Sequence, residues 1–293
     1  MRRGLGRLKN PYKLDLPAAV AFSGGRTSAF MLRQILNAFD DDQPEDLAVT
    51  FQNTGLEHEA TYDFIDRVAK EWGVEITWLE YAIDEDDKPT AQVVTYETAS
   101  RNGEPFDRLI DRRGYLPNPM TRLCTSELKM RTQIRYLRQN EVFADGYTNA
   151  IGLRADEPRR ALRLKGDYGI ESPVAPMFHA GHDEQDVLAY WRDAPFDLEL
   201  PLTGNMAGNC VGCFLKSKGK LYTLEEEMPQ YFDWWIKTEE RMKSAEWTEV
   251  KESGRRFRLD RPSYAAIREQ VRQQGNLFQD FGDDDTIPCM CTD

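Results

Sequence analysis

Histidine is scarce in this sequence: three in 293 residues, at His58, His179 and His182. Their spacing matches no metal-ligand pattern and no Ser/His/Asp arrangement can be assembled around them, which sets aside imidazole-based metal sites and serine-hydrolase chemistry. His58 reads as the polar start of a helix, and His179 and His182 flank Gly181 in a loop. Long apolar runs are lacking too; none approaches the ~20 residues of a membrane-spanning helix. The basic stretch from Met1 to Lys9 is not followed by the apolar segment of a signal peptide. The expectation is a cytoplasmic protein with no membrane partner. Internal repeats and low-complexity tracts are missing, and positive charge is in deficit. A formal net charge of −12 argues against a general binder of DNA or RNA, because a wide negative field repels polyanions.

What is present is enough for a core: 40% of residues are hydrophobic, in a length suited to one large α/β domain or a domain with an appendage. Ser23-Gly24-Gly25-Arg26-Thr27-Ser28 follows the apolar run Ala18–Phe22 and precedes the helix-period segment from Ala29 to Leu36. That is strand, tight turn, helix. Two glycines let backbone approach an anion, Ser23, Thr27 and Ser28 add hydroxyls, and the first helical turn offers free N–H groups. An ordinary turn punctuated by Gly and Ser explains the same residues.

Short apolar runs alternating with helix-period segments predict a parallel sheet with crossover helices. Strands are expected at 17–22, 47–52, 75–80 and 148–153, and helices at 27–39, 58–72 and 125–139, the second stopped by Gly73. Asp84–Pro89 and Asn102–Pro105 read as surface loops. Asn53, Thr54 and Gly55 end the second strand, at the edge where open α/β sheets bind ligands, and offer amide and hydroxyl groups to a ribose or base. Between Arg122 and Lys165 the local charge reverses, with ten basic residues against five acidic. A nucleotide bound near this segment, or a solvated helical face, accounts for it. After about residue 200 a cysteine-bearing loop leads into helices rich in Tyr231, Phe232, Trp234 and Trp235, an aromatic face that needs a surface to bury against. The division expected is 1–204 for the α/β nucleotide-binding domain and 205–293 for the cysteine loop and helical extension.

Several motifs in order resemble one family. Ser23–Ser28 resembles the PP-loop of the adenine nucleotide alpha hydrolase-like superfamily, and Phe51–Gly55 followed by Glu57 and Thr61 resembles its phosphoadenosine phosphosulfate reductase branch. Cys124–Lys129, the Gly-x-Arg-x-x-Glu pattern of Gly152, Arg154 and Glu157, and the Cys-x-x-Cys of Cys210 and Cys213 match that branch in turn. The resemblance implies a Rossmann-like, mostly parallel sheet flanked by helices, with the helical C-terminal extension beside it, and an adenine nucleotide at the glycine loop. The usual PP-loop carries an acidic residue where Arg26-Thr27 stands; Arg26 instead offers a planar fork of donors to a phosphate or sulfate oxygen. Arg154 has the same capacity, with Glu157 to orient it.

Five cysteines, Cys124, Cys210, Cys213, Cys289 and Cys291, are poor material for structural disulfides in a reducing compartment. With so few histidines, Cys-x-x-Cys favours thiolate ligation of iron–sulfur or zinc. The resemblance implies a 4Fe-4S cluster on Cys124, Cys210 and Cys213. The fourth ligand is Cys289 or Cys291, or one iron stays open. Related reductases carry a nucleophilic cysteine in a C-terminal tail, with thioredoxin or glutathione resolving the adduct; this tail lacks their Glu-Cys-Gly-x-His signature. Two enzymatic readings follow. One is a sulfonucleotide reductase that takes adenylyl sulfate or its 3′-phosphorylated form to sulfite, using Cys289 or Cys291 with Arg26 and Arg154. The other is an ATP-using, Mg-assisted enzyme that thiolates a nucleobase in a nucleic-acid acceptor. A nucleotide sensor without turnover is a third, and the oligomeric state is open.

Overall fold

The structure, a computed structural model, describes residues 10–164, 169–203, 205–244, 247 and 249–274. Six strands, β1 (Ala18–Ala21), β2 (Leu47–Gln52), β3 (Ile76–Ile83), β4 (Pro89–Val94), β5 (Tyr147–Ile151) and β6 (Glu171–Val174), form one sheet in the order β4-β3-β2-β1-β5-β6. All neighbours are parallel except β3 and β4. Ala18 of β1 pairs with Leu47 on one side and Thr148 on the other, so the direction of winding reverses at β1. Ligands of open α/β sheets bind outside the carboxyl ends at such a point.

The helices before the extension are α1 (Arg26–Ala38), α2 (Glu59–Trp72), α3 (Glu104–Arg113), a π-helical stretch Cys124–Arg131 continued by α4 (Thr132–Arg138), α5 (Glu141–Ala144), α6 (Pro158–Ala161), α7 (Pro176–Ala180) and α8 (Glu184–Asp193). Strand alternation sorts the two faces. Ala18 and Val20 join the large core with α1, α2 and α8, while Ala19 turns to Leu137 of α4 with Phe143 and Tyr147. The extension comprises α9 (Lys218–Glu227), a 3₁₀ turn Pro229–Phe232, α10 (Asp233–Arg241), α11 (Glu252–Arg255) and α12 (Tyr264–Gln274). Its aromatic face buries Trp235 against Phe106 of α3, Phe214, Phe257 and Tyr264, the last ring stacked at 5.2 Å and 19°.

The structure amends several boundaries. Asp84–Lys88 is a tight hairpin turn: the Asp84 carboxylate accepts from the N–H groups of Asp86 and Lys88, and Pro89 opens the edge strand β4, where its missing donor is tolerated. Glu104-Pro105 begins α3 instead of continuing a loop, with proline in the first turn, where no intrahelical donor is needed. The helix expected at 125–139 is split: Thr132 donates its hydroxyl to the Glu127 carbonyl five residues back, at 2.8 Å, where the wide turn meets the α-helix. β5 stops at Ile151, two residues short of the expected end, because the Leu153 N–H turns back to the Ile151 carbonyl.

Candidate nucleotide and thiol site

The glycine loop is closed by its own hydroxyls. Ser23 donates to Ser28 at 3.0 Å, and Ser28, fully buried, donates to the Gly25 carbonyl at 2.9 Å. Arg154 Nη1 lies 3.4 Å from Thr27 Oγ1, while its Nε is held by Asp156 at 3.1 Å. Glu157 accepts from the Arg154 backbone N–H and pairs with Arg160. Arg26 closes its fork on the Asp197 carboxylate at 2.7 and 2.8 Å, with a further bond to the Leu198 carbonyl. It clamps the loop after α8 to the start of α1. The glycines line a hollow of only about 10 Å³ against Asn205, Gly208 and Asn209, room for about one water molecule.

The larger space begins at Ser23. A cavity of about 460 Å³ opens at the carboxyl ends of β1, β2 and β5, beneath the π-helical stretch. Phe22, Phe51, Ile151 and Leu153 supply apolar wall; Arg122, Lys129, Arg159, Arg160 and Arg163 supply cations. Arg160 keeps Nη2 buried without an acceptor. The floor is polar. Gln133 bonds Thr50 at 3.1 Å, and the Asn149 amide donates to Glu171 at 3.2 Å. Asn149, Gln133 and Glu171 were not anticipated, although an asparagine inside the buried strand Tyr-Thr-Asn-Ala-Ile is the kind of anomaly that marks a site. Lys165 lies outside the described residues. Arg131 and Arg135, both within the cationic segment, pair with the buried Glu127, at 3.1 and 2.8 Å. Burial would raise the Glu127 pKa, but bonds from Arg135 and Arg113 hold it below the ordinary value.

Cys124, Cys210 and Cys213 line one hollow with Thr125, Lys129 and Trp235. Thr125 and Lys129 also line the nucleotide-sized cavity, so the two spaces adjoin across that pair. The Cys-x-x-Cys loop is held by an isolated bridge between Glu57 and Cys210 and by the Val211 N–H on the Leu56 carbonyl at 2.9 Å. Gly212 has no room for a side chain, since a Cβ would stand 2.4 Å from Trp235 Nε1. Burial, with Glu57 nearby, pushes the Cys210 thiol well up, which keeps an unligated Cys210 neutral. The hollow measures about 20 Å³, and among the described residues no group of three or more His, Cys, Asp or Glu side chains is set to hold a metal ion. Its lining includes three thiols and no carboxylate or imidazole, the type of donor set an iron–sulfur cluster would use. Cys289 and Cys291 lie outside the described residues.

Asn53 and Thr54 do not line the larger cavity. Asn53 is fully buried and donates to Glu80 at 2.7 Å and the Ser100 carbonyl at 2.9 Å; Thr54 donates to Glu57 at 2.8 Å and touches Cys210 Sγ at 3.3 Å. They form a polar support beneath the thiols, joined by Tyr62, whose hydroxyl lies 3.0 Å from Asn53 Oδ1 and 3.2 Å from Glu57 Oε2. Gly55 and Gly152 lie on the turns that follow β2 and β5, and neither lines the larger cavity. The histidines stand apart from it. His58 accepts from the Ala60 N–H at the head of α2 and stacks on Tyr231, and His182 pairs with the Tyr12 hydroxyl at 2.6 Å.

Residues 17–165 match the phosphoadenosine phosphosulfate reductase domain. An uncharacterized nin region protein of Escherichia phage lambda is 34% identical over 208 residues, which cover 69% of this chain and 67% of that protein. An uncharacterized protein of Methanocaldococcus jannaschii is 25% identical over 240 residues, 80% of this chain but only 44% of that protein. Among solved structures, the U34-tRNA thiolase NcsA from Methanococcus maripaludis with its 4Fe-4S cluster is similar at 18% identity and a TM-score of 0.40, covering 78% of this chain and 71% of its own.

Proposed function

This chain belongs to the phosphoadenosine phosphosulfate reductase domain family, and from that premise we propose that it is a sulfonucleotide reductase-like enzyme. The observation that carries the reading is the shared wall: Thr125 and Lys129 line both the cationic cavity and the thiol hollow. An adenine nucleotide lies in the larger cavity, its base over the Asn149–Gln133–Glu171 floor and its anionic end toward Ser23, Lys129 and Arg160. Lys129 and the arginines oppose the charge that grows on the leaving phosphate oxygen. A tail thiolate, Cys289 or Cys291, attacks the sulfur; the S–O bond to the phosphate breaks and its electron pair leaves with the nucleotide. A dithiol of the thioredoxin type, or two monothiols of the glutathione type, then displaces sulfite from the enzyme cysteine, frees its thiol and ends as the disulfide. Cys124, Cys210 and Cys213 would hold the cluster, which when bound supplies a polarising, redox-capable centre beside that anionic end.

Sulfite release by anaerobically purified protein given each sulfonucleotide and a dithiol tests the reading. Sulfite no higher than from a Cys289→Ser, Cys291→Ser variant would overturn it. A second reading, ATP-dependent thiolation of a nucleic-acid base, is favoured by the thiol hollow itself, since three cysteines leave one position of a four-iron cluster open to a sulfur species. Pyrophosphate release from ATP and Mg that depends on an RNA or DNA acceptor would support it. Absence of both products would favour the nucleotide sensor.

A further inference from the structure

A second cationic cavity lies away from the nucleotide site, in the helical extension. It measures about 520 Å³, and Lys243, Arg255, Arg256 and Arg261 line it against two carboxylates, Glu239 and Glu252. Glu239 does not serve the cations as a full partner: its two oxygens accept the backbone N–H groups of Phe257, at 3.3 Å, and Tyr264, at 2.9 Å. Arg255 and Arg256 form no ion pair among the described residues; Arg256 spends Nη2 on the Arg261 carbonyl, and each arginine buries its Nε–H without an acceptor. A buried donor left unmade costs about 1–3 kcal/mol, more for a charged group, so two on one cavity call for an anion. In a chain of net charge −12 the concentration of cations here is not a general surface property.

We infer that this cavity is an anion site that takes a phosphate group through the Arg255 guanidinium fork and the remaining donors of Arg256, with Lys243 and Arg261 around it. Guanidinium geometry matches phosphate oxygens pairwise. The space exceeds one phosphate, which admits either a free polyphosphate or a stretch of phosphodiester backbone. Its wall also touches the cysteine loop: Arg261 donates to the Lys216 carbonyl, and Tyr264, next in sequence to the lining Ser263, donates to the Gly212 carbonyl at 2.6 Å. An occupant therefore rests on the segment that fixes Cys210 and Cys213. The inference stands independently of the reaction proposed above.

Equilibrium titration of the full chain with inorganic pyrophosphate and, separately, a short single-stranded oligoribonucleotide tests it, using two double variants. R160Q/R163Q alters the first cavity and R255Q/R256Q the second. The expected result is a binding event that survives R160Q/R163Q and weakens at least about tenfold in R255Q/R256Q, the scale of one lost charged hydrogen bond. Pyrophosphate binding alone assigns the site to a free anion. Tighter oligonucleotide binding, with a salt slope that falls by roughly 0.7 per lost contact, assigns it to a backbone. Unchanged binding of both probes to R255Q/R256Q, or loss of all binding in R160Q/R163Q, overturns the site. R255K/R256K keeps the charge and removes the fork; binding intermediate between wild type and R255Q/R256Q supports the fork, and its melting curve guards against a folding defect.

Discussion

Gly24 carries two constraints at once. Its φ of +79° is costly for any side chain, and a Cβ would stand 2.8 Å from both Ile65 Cδ1 and Thr61 Cγ2 of α2. The glycine thus seats α2 against the loop as much as it opens backbone to an anion. Gly24→Ala should destabilise by about 1–2 kcal/mol from the backbone conformation alone, with the contact added, read as a lower urea midpoint. His58 offers a pH-dependent test. Burial lowers its pKa below 6.5, against the pull of Glu59 and Asp63. The unfolded chain then takes the proton first as pH falls, so the stability His58 contributes is present above pH 6.5 and is lost as pH falls through the folded pKa. His58→Gln should flatten urea-measured stability between about pH 7 and about pH 5; parallel curves for the two proteins would contradict this.

Among the elements, the π-helical stretch Cys124–Arg131 matters most. It presents Cys124, Thr125 and Lys129 to the thiol hollow while Glu127, on its buried side, gathers Arg113, Arg131 and Arg135. Wide turns of this kind concentrate at functional sites, and periodicity alone reads them as plain helix. α12 supports the opposite wall. Tyr264 is buried and donates to the Gly212 carbonyl. Tyr264→Phe leaves that carbonyl without its donor, an expected cost of about 1–3 kcal/mol, with faster amide hydrogen exchange across residues 210–216 than across the sheet.

Across the whole molecule, a net charge of −12 surrounds two cationic cavities. Long-range repulsion and short-range attraction then act on the same anionic ligand. Contact terms at a partly enclosed site exceed screened terms across a surface, so the cavity arginines decide affinity. Arg160→Gln with Arg163→Gln should weaken sulfonucleotide binding by about tenfold or more, measured by calorimetry at fixed salt. An unchanged dissociation constant would move the anionic end elsewhere. No helix among the described residues is long and apolar enough to cross a membrane.

The amino-acid sequence by itself determined the local features: strand, glycine loop and helix at residues 18–38, the Gly73 stop, and the paired spacing of Cys210 and Cys213. Those depend on neighbours a few positions apart. The edge strands β4 and β6 escaped because Pro89 and Pro173 weaken the strand signal, and a hairpin or a parallel partner supplies what propensity does not. Only the tertiary structure decided the side-chain partners. Arg26 finds the Asp197 carboxylate across 171 positions, a partner no local pattern announces. Asn53 and Thr54 turn beneath the thiols, and Cys124 meets Cys210 and Cys213 around one space. A guanidinium or an amide satisfies itself with whichever acceptor packing brings within about 3 Å, and packing is settled by the whole core.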